Sequence, residues 1–325
     1  MGGLSSPCNI GWLVCVPLNR YNGIQLPSFR TGPLQTFIVL IAAVLLTGCS
    51  PRQMVVGSIA DELAAQGQAS ENDLDLAREA SAFYLKLSES VLRNDPGHRA
   101  LAESVAGGFT QYAYAFVAFE ADRVEAKDAK EAERLRHRAA VLYRRAHKHA
   151  MTALEKEIPG FAAQLGSPQA ADSMKLAPAQ VGLAYWAAAS WGGWISLSKD
   201  DPDVVADLPQ AVRLTRLAWQ TDPTWGNGAL TGLLATFEAS RPGGNQQQAL
   251  AWYDQAIAQG GSNNAGPLVS KAEGYALPAG DRSLFESLLE RAAAIKDAPD
   301  SPLALQNEVM RRRAAWLLEQ AADLF

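Results

Sequence analysis

The chain has 325 residues, with 29 lysines and arginines against 34 aspartates and glutamates, a formal net charge of −5. That balance speaks against nucleic acid as a partner, because nucleic-acid binders display a basic face. The three cysteines, Cys8, Cys15 and Cys49, all lie near the start, so the long remainder has no disulfide or cysteine-held metal to staple it and depends on its own packed core.

Residues 1–36 carry only Arg20 and Arg30 as charges and hold Pro7, Pro17, Pro27 and Pro33. Nothing there reads as a domain, and the simplest account is a start codon placed too early. The apolar run from Phe37 to Leu46 would reach roughly 15 Å as a helix, against about 30 Å of bilayer hydrocarbon, too short for a comfortable span. It leads into Leu46-Thr47-Gly48-Cys49, which resembles the lipobox of bacterial lipoproteins. Cys49 is therefore read as a lipid attachment site and residues 1–48 as a signal region that is removed. The plainer alternative is an ordinary signal peptide, or a short buried helix, with an incidental cysteine. Removal of residues 1–48 takes 325 to 277 residues and 29 cations to 27 against the same 34 acids, a net charge of about −7. Residues 49–70 are expected to form the anchor and tether, and residues 71–325 one helical domain.

Ser58 to Gln66 reads as a short helix. Ser70-Glu71-Asn72-Asp73 then has the form of an N-cap with an acid three residues on, opening a helix whose Leu74, Ala77, Ser81, Tyr84, Leu85, Ser88 and Val91 share a side. Asn94-Asp95-Pro96-Gly97 ends it. From His98 to about Val124 the pattern is apolar nearly all round, which predicts a buried helix. Gly107 and Gly108 inside it predict the close approach of another backbone. Asp128 to Glu157 is amphipathic, with Leu135, Ala139, Leu142, Ala146, Ala150 and Leu154 on one stripe, and Pro159-Gly160 stops it. Pro178 can open a further helix, through Trp186, Trp191, Gly192, Gly193 and Trp194 to about Ser198. Thereafter helical stretches alternate with turn signals such as Asp201-Pro202, Asp222-Pro223 and Pro242-Gly243-Gly244. No stretch alternates as a strand does, so the fold class is all-α.

The last third repeats itself. Ala211, Thr215 and Ala218 can be laid on Ala249, Tyr253 and Ala256 about 38 residues later, and a further shift of about 35 reaches Leu284, Leu288 and Arg291. Small, larger, small at i, i+4, i+7 resembles the second helix of a tetratricopeptide repeat, which predicts stacked helical hairpins in a superhelix, an α-solenoid. A nonrepeating bundle is the alternative.

Chemistry is sparse. His137, His147 and His149 stand among Arg134, Arg136, Arg138, Arg144, Arg145 and Lys148, and cations repel a metal ion, so no metal site is expected. The cluster reads as a solvated helix face, or else as a docking surface for an acidic partner or lipid headgroups. Pro242-Gly243-Gly244-Asn245 lacks the Lys-Ser/Thr of a phosphate loop. With no nucleophile elbow and no local pair of acids, no catalytic residue and no cofactor is expected. The aromatics from Phe109 to Phe119 and from Tyr185 to Trp194 are either core or the wall of a cleft for an apolar ligand.

Gly108-Phe109-Thr110-Gln111-Tyr112-Ala113, Tyr185-Trp186, Trp191-Gly192-Gly193-Trp194-Ile195, Asn227-Gly228-Ala229-Leu230, Ala239-Ser240-Arg241-Pro242-Gly243-Gly244 and Arg311-Arg312-Arg313-Ala314 together resemble the tetratricopeptide-repeat-associated T component of TRAP transporters, TatT, from about Leu74 to Phe325. The resemblance implies a periplasmic lipoprotein that associates, as a homotrimer, with the substrate-binding protein of a tripartite transporter. It also implies an apolar channel or cleft, near which Phe109, Tyr112, Trp186, Trp191 and Trp194 are placed by analogy. A hydrophobic small molecule is the implied ligand. Ser50 after the cysteine, where an aspartate often retains lipoproteins in the inner membrane, leans the location toward the outer one. A generic envelope scaffold of the same repeats, without a ligand cleft, is the competing reading.

Overall fold

All secondary structure is helical among the described residues of the computed structural model, which are 51–66, 73–171, 173–298 and 301–325. Cys49 and the apolar run before it lie outside them. Ser50–Phe325 forms a compact unit of its own, consistent with the all-α expectation.

Helix α1 (Pro51–Gln66) begins earlier than its pattern suggests, and its Ala60 and Leu63 are buried in the main core. Asp73 caps α2 (Leu74–Leu92), accepting from the amides of Asp75 and Leu76 at 3.0 Å each. Such a cap satisfies donors that a helix start leaves free and is worth about 1 kcal/mol. Asp128, Asn245 and Asp281 do the same for later helices.

The next run is α3 (Arg99–Tyr112), then a π-helical segment, Ala113–Ala118, then α4 (Phe119–Val124). Helix α5 (Ala129–Glu157) lies along it and buries Leu135, Ala139, Ala146, Ala150 and Leu154 from the expected stripe. After the short α6 (Phe161–Gly166) and α7 (Pro168–Ala171), helix α8 (Val181–Ser196) packs against both α3 and α5. Alanines at the contacts let these three helices come close.

The glycines of α3 are explained by side chains, not by a backbone. A Cβ on Gly107 would stand 2.8 Å from the Trp186 ring, and the site of one on Gly108 is taken by Leu85. The expectation of a close backbone is corrected accordingly.

Short α9 (Pro202–Ala206) precedes α10 (Leu208–Thr221), α11 (Ala229–Ser240), α12 (Gln246–Gly260), α13 (Gly266–Lys271) with a second π-helical segment at Ala272–Ala276, α14 (Arg282–Ala293), α15 (Ala304–Glu319) and α16 (Ala321–Leu324). The periodicity of α10 and α12 holds: Ala211, Thr215, Ala218, Ala249, Tyr253 and Ala256 are all fully buried. In α14 the buried positions are Phe285, Leu288, Leu289 and Ala292, with Leu284 half-buried and Arg291 exposed. Of the expected Leu284, Leu288 and Arg291 only Leu288 is fully buried, and the row Phe285, Leu289 and Ala292, one residue later, is buried throughout.

Candidate functional site

The five aromatics expected at a cleft lie where α3, α5 and α8 meet, and they fall into separate environments. Phe109 is buried, stacked on His149 with ring centroids 6.4 Å apart, and the Arg145 guanidinium lies 5.0 Å from its centroid. Tyr112 is half-buried, edge-on to Phe116. Trp186 is half-buried over Gly107 and meets Tyr185 edge-on at 4.8 Å. Trp191 is buried with its ring 4.3 Å from His147, while Trp194, half-buried, lies 6.2 Å from the same histidine. Trp191 and Trp194 are thus brought together around His147, whereas Phe109 and Tyr112 stand elsewhere on α3.

Gly192 and Gly193 stand beside Trp191 and Trp194, and the space over them is filled. A Cβ on Gly192 would meet Phe237 at 2.8 Å, and one on Gly193 would meet Tyr143 at 2.8 Å. These glycines admit rings from neighbouring helices and leave no gap of their own.

His147 points inward instead of belonging to a solvated face. Burial pushes its pKa down to about 4, and its Nδ1 lies 3.1 Å from the Ala187 carbonyl, which it reaches by donating a proton. The folded value lies below the ordinary 6.5, so the stability from keeping this ring neutral is complete above pH 6.5 and is lost as pH falls toward 4. That loss amounts to about 3 kcal/mol. A His147→Gln chain is expected to lose about that much less between pH 7 and pH 4, measured by denaturant unfolding at both values. Equal losses in the two chains would contradict the assignment.

A recess lies between α2 and α5. It measures ≈ 400 Å³ and is lined by Glu89, Leu92, Arg93, Arg145, Lys148 and His149 among others. Glu89 is buried at its floor, where Arg145 holds it with two hydrogen bonds, Lys86 donates at 2.8 Å and His149 sits at 2.9 Å. Burial alone would raise the Glu89 pKa, but these donors outweigh it and hold the carboxyl at about 2. With one acid already satisfied, Arg93 and Lys148 leave the rim positive.

A second polar centre joins distant parts of the chain. Arg313 on α15 makes a two-pronged pair with Glu273 at 2.6 and 2.9 Å and reaches Asp122 at 3.2 Å. The rings of Tyr114, Phe119 and Trp316 lie within 5.2 to 5.9 Å of its guanidinium. Tyr114 and Glu273 belong to the two π-helical segments, so both wide turns face this one arginine.

Neither centre shows itself in the sequence. Glu89 carried a signal, a carboxylate on the buried side of α2 with Leu85 and Leu92, which requires a cation from elsewhere. For Arg313 the arginine run was visible but its partners were not. No group of histidines and acids that would hold a metal occurs among the described residues, and no described helix is long and apolar enough to cross a membrane.

Two comparisons bear on the chain as a whole. Residues 70–325 match the family described as "TRAP transporter T-component". A protein of Treponema pallidum (strain Nichols), itself described as uncharacterized, is 24% identical over 309 residues, spanning 87% of this chain and 95% of that protein.

Proposed function

The chain belongs to the TRAP transporter T-component family, and from that membership we propose that it is a periplasmic, lipid-anchored accessory of a TRAP transport system, docking the substrate-binding protein and passing an apolar solute to it. The match over residues 70–325 carries this reading. Cys49 is the proposed point of lipid attachment, the outer membrane the proposed location and a homotrimer the proposed assembly. Exposed Arg144 and Lys148 on α5, which make no ion pair among the described residues, support an acidic docking partner.

For the solute, half-buried Trp194 is the residue to test, since Phe109 and Trp191 are buried and lend weight to a scaffold without a cleft. Trp194→Ala is expected to weaken binding of an apolar fluorescent probe several-fold while the melting temperature falls by only a few degrees. Severe destabilisation with unchanged binding per folded molecule would return Trp194 to the core and favour the scaffold. Affinity capture from the native envelope tests the docking: recovery of the substrate-binding protein supports the proposal, and its consistent absence overturns it.

A further inference from the structure

Helix α2 buries one side against α1 and α3 and leaves another bare. Leu76, Phe83 and Leu87 are 53%, 74% and 43% exposed, and Ala80 between them is exposed as well. Spacings of four, three and four residues place all four on one seam, the repeat by which two helices interlock side chains along their length. The seam covers about 16 Å of helix. Solvent-facing phenylalanine in such a row is a surface that association would cover.

We propose that this seam pairs with the α2 of a second copy of the chain, the two helices running antiparallel about a two-fold axis. The sequence of the seam is complementary to its own reverse. In antiparallel register Phe83 meets the second copy's Ala80, and Leu76 meets the second copy's Leu87, so a large ring faces a small methyl and leucine faces leucine. A parallel pair would set Phe83 against Phe83 and Ala80 against Ala80, crowded at one level and empty at the next. Charge selects the same direction. Glu79 and Lys86 flank the seam on one side, both exposed, and reversal brings each Glu79 to the second copy's Lys86 twice across the axis. Lys86 already donates to Glu89 at 2.8 Å, and its ammonium keeps further hydrogens for this contact. A two-fold contact cannot close a trimer, so this interface is separate from any three-fold one: it pairs single copies or joins trimers. Specific cross-links therefore read it independently of the assembly proposed above.

The test uses Ser50–Phe325, which is a compact unit and contains no cysteine. Because the four side chains are exposed in the single chain, changing them leaves the fold in place. Ala80→Phe and Phe83→Ala, each alone, are expected to weaken self-association about tenfold or more in sedimentation experiments. The double exchange, which restores large against small, recovers it. A Leu76→Cys chain mixed with a Leu87→Cys chain is expected to cross-link with a short bismaleimide, while neither cross-links with itself. Unchanged association in both single variants, or cross-linking of Leu76→Cys chains to one another, overturns the antiparallel pair. Loss of vesicle binding in Phe83→Ala without any self-association in the parent assigns the seam to the bilayer and overturns it equally.

Discussion

Arg313→Ala is expected to lower the melting temperature by on the order of 10 °C. The arginine side chain is 12% exposed and satisfies two acids, Glu273 and Asp122, that are themselves largely shielded. Removing the arginine leaves Glu273 without this partner and Asp122 with only Arg136, at 3.7 Å, and breaking a buried ion network in this way costs about 3 to 5 kcal/mol. In a unit of this size each kcal/mol is worth about 2–4 °C. Burial by itself raises the pKa of Asp122 more than Arg313 lowers it, so without the arginine that carboxyl takes up a proton more readily still. The variant is therefore expected to recover part of its lost stability as pH falls into the acid range, which melting curves at several pH values will show. A small loss, the same at every pH, would mean that water replaces the guanidinium freely. Arg313→Lys keeps the charge but loses the two-pronged geometry and the flat stacking on three rings, and is expected to fall between.

Cys49→Ala has the largest expected effect on location. A diacyl group on sulfur and an acylated amine, three chains at about 0.8 kcal/mol per buried methylene, hold a protein far beyond the marginal grip of one myristoyl chain, and the variant lacks the Cys49 thiol on which the diacyl group would sit. Acyl labelling should vanish and the protein should no longer fractionate with membranes. The helical body should be unaltered, because Cys49 precedes the compact unit that begins at Ser50. Intact labelling in the variant would move the attachment elsewhere and overturn the assignment to Cys49.

Much of the fold is legible from local signals. Helix α5 runs between Asp128, whose carboxylate caps it, and Pro159-Gly160, and the structure starts and stops it there. What escapes sequence is set by distant partners. His147 and His149 stand among cations and read as surface, yet α8 covers the first and buried Glu89, 60 residues away, holds the second. Gly192 and Gly193 announce that something comes close, but whether it is a backbone, a ligand or a ring depends on Phe237 and Tyr143 in other helices. In α14 adjacent Leu288 and Leu289 are both buried, so neighbours from other helices cover two rows where the repeat pattern predicts one.

The two π-helical segments have a consequence for how this chain tolerates changes in length. A π turn accommodates one residue more than the α-helix around it, so deleting one residue from Ala113–Ala118 can be absorbed by relaxing the turn to α geometry. The helix before and after would keep its phase, and Phe109 and Ala121 would stay on their present faces. Inside the turn the outcome differs: Tyr114 would rotate by about 100° and leave Arg313. The same holds for Glu273 in Ala272–Ala276. These are the places where a shortened chain can remain folded while the arginine centre is dismantled from one side at a time.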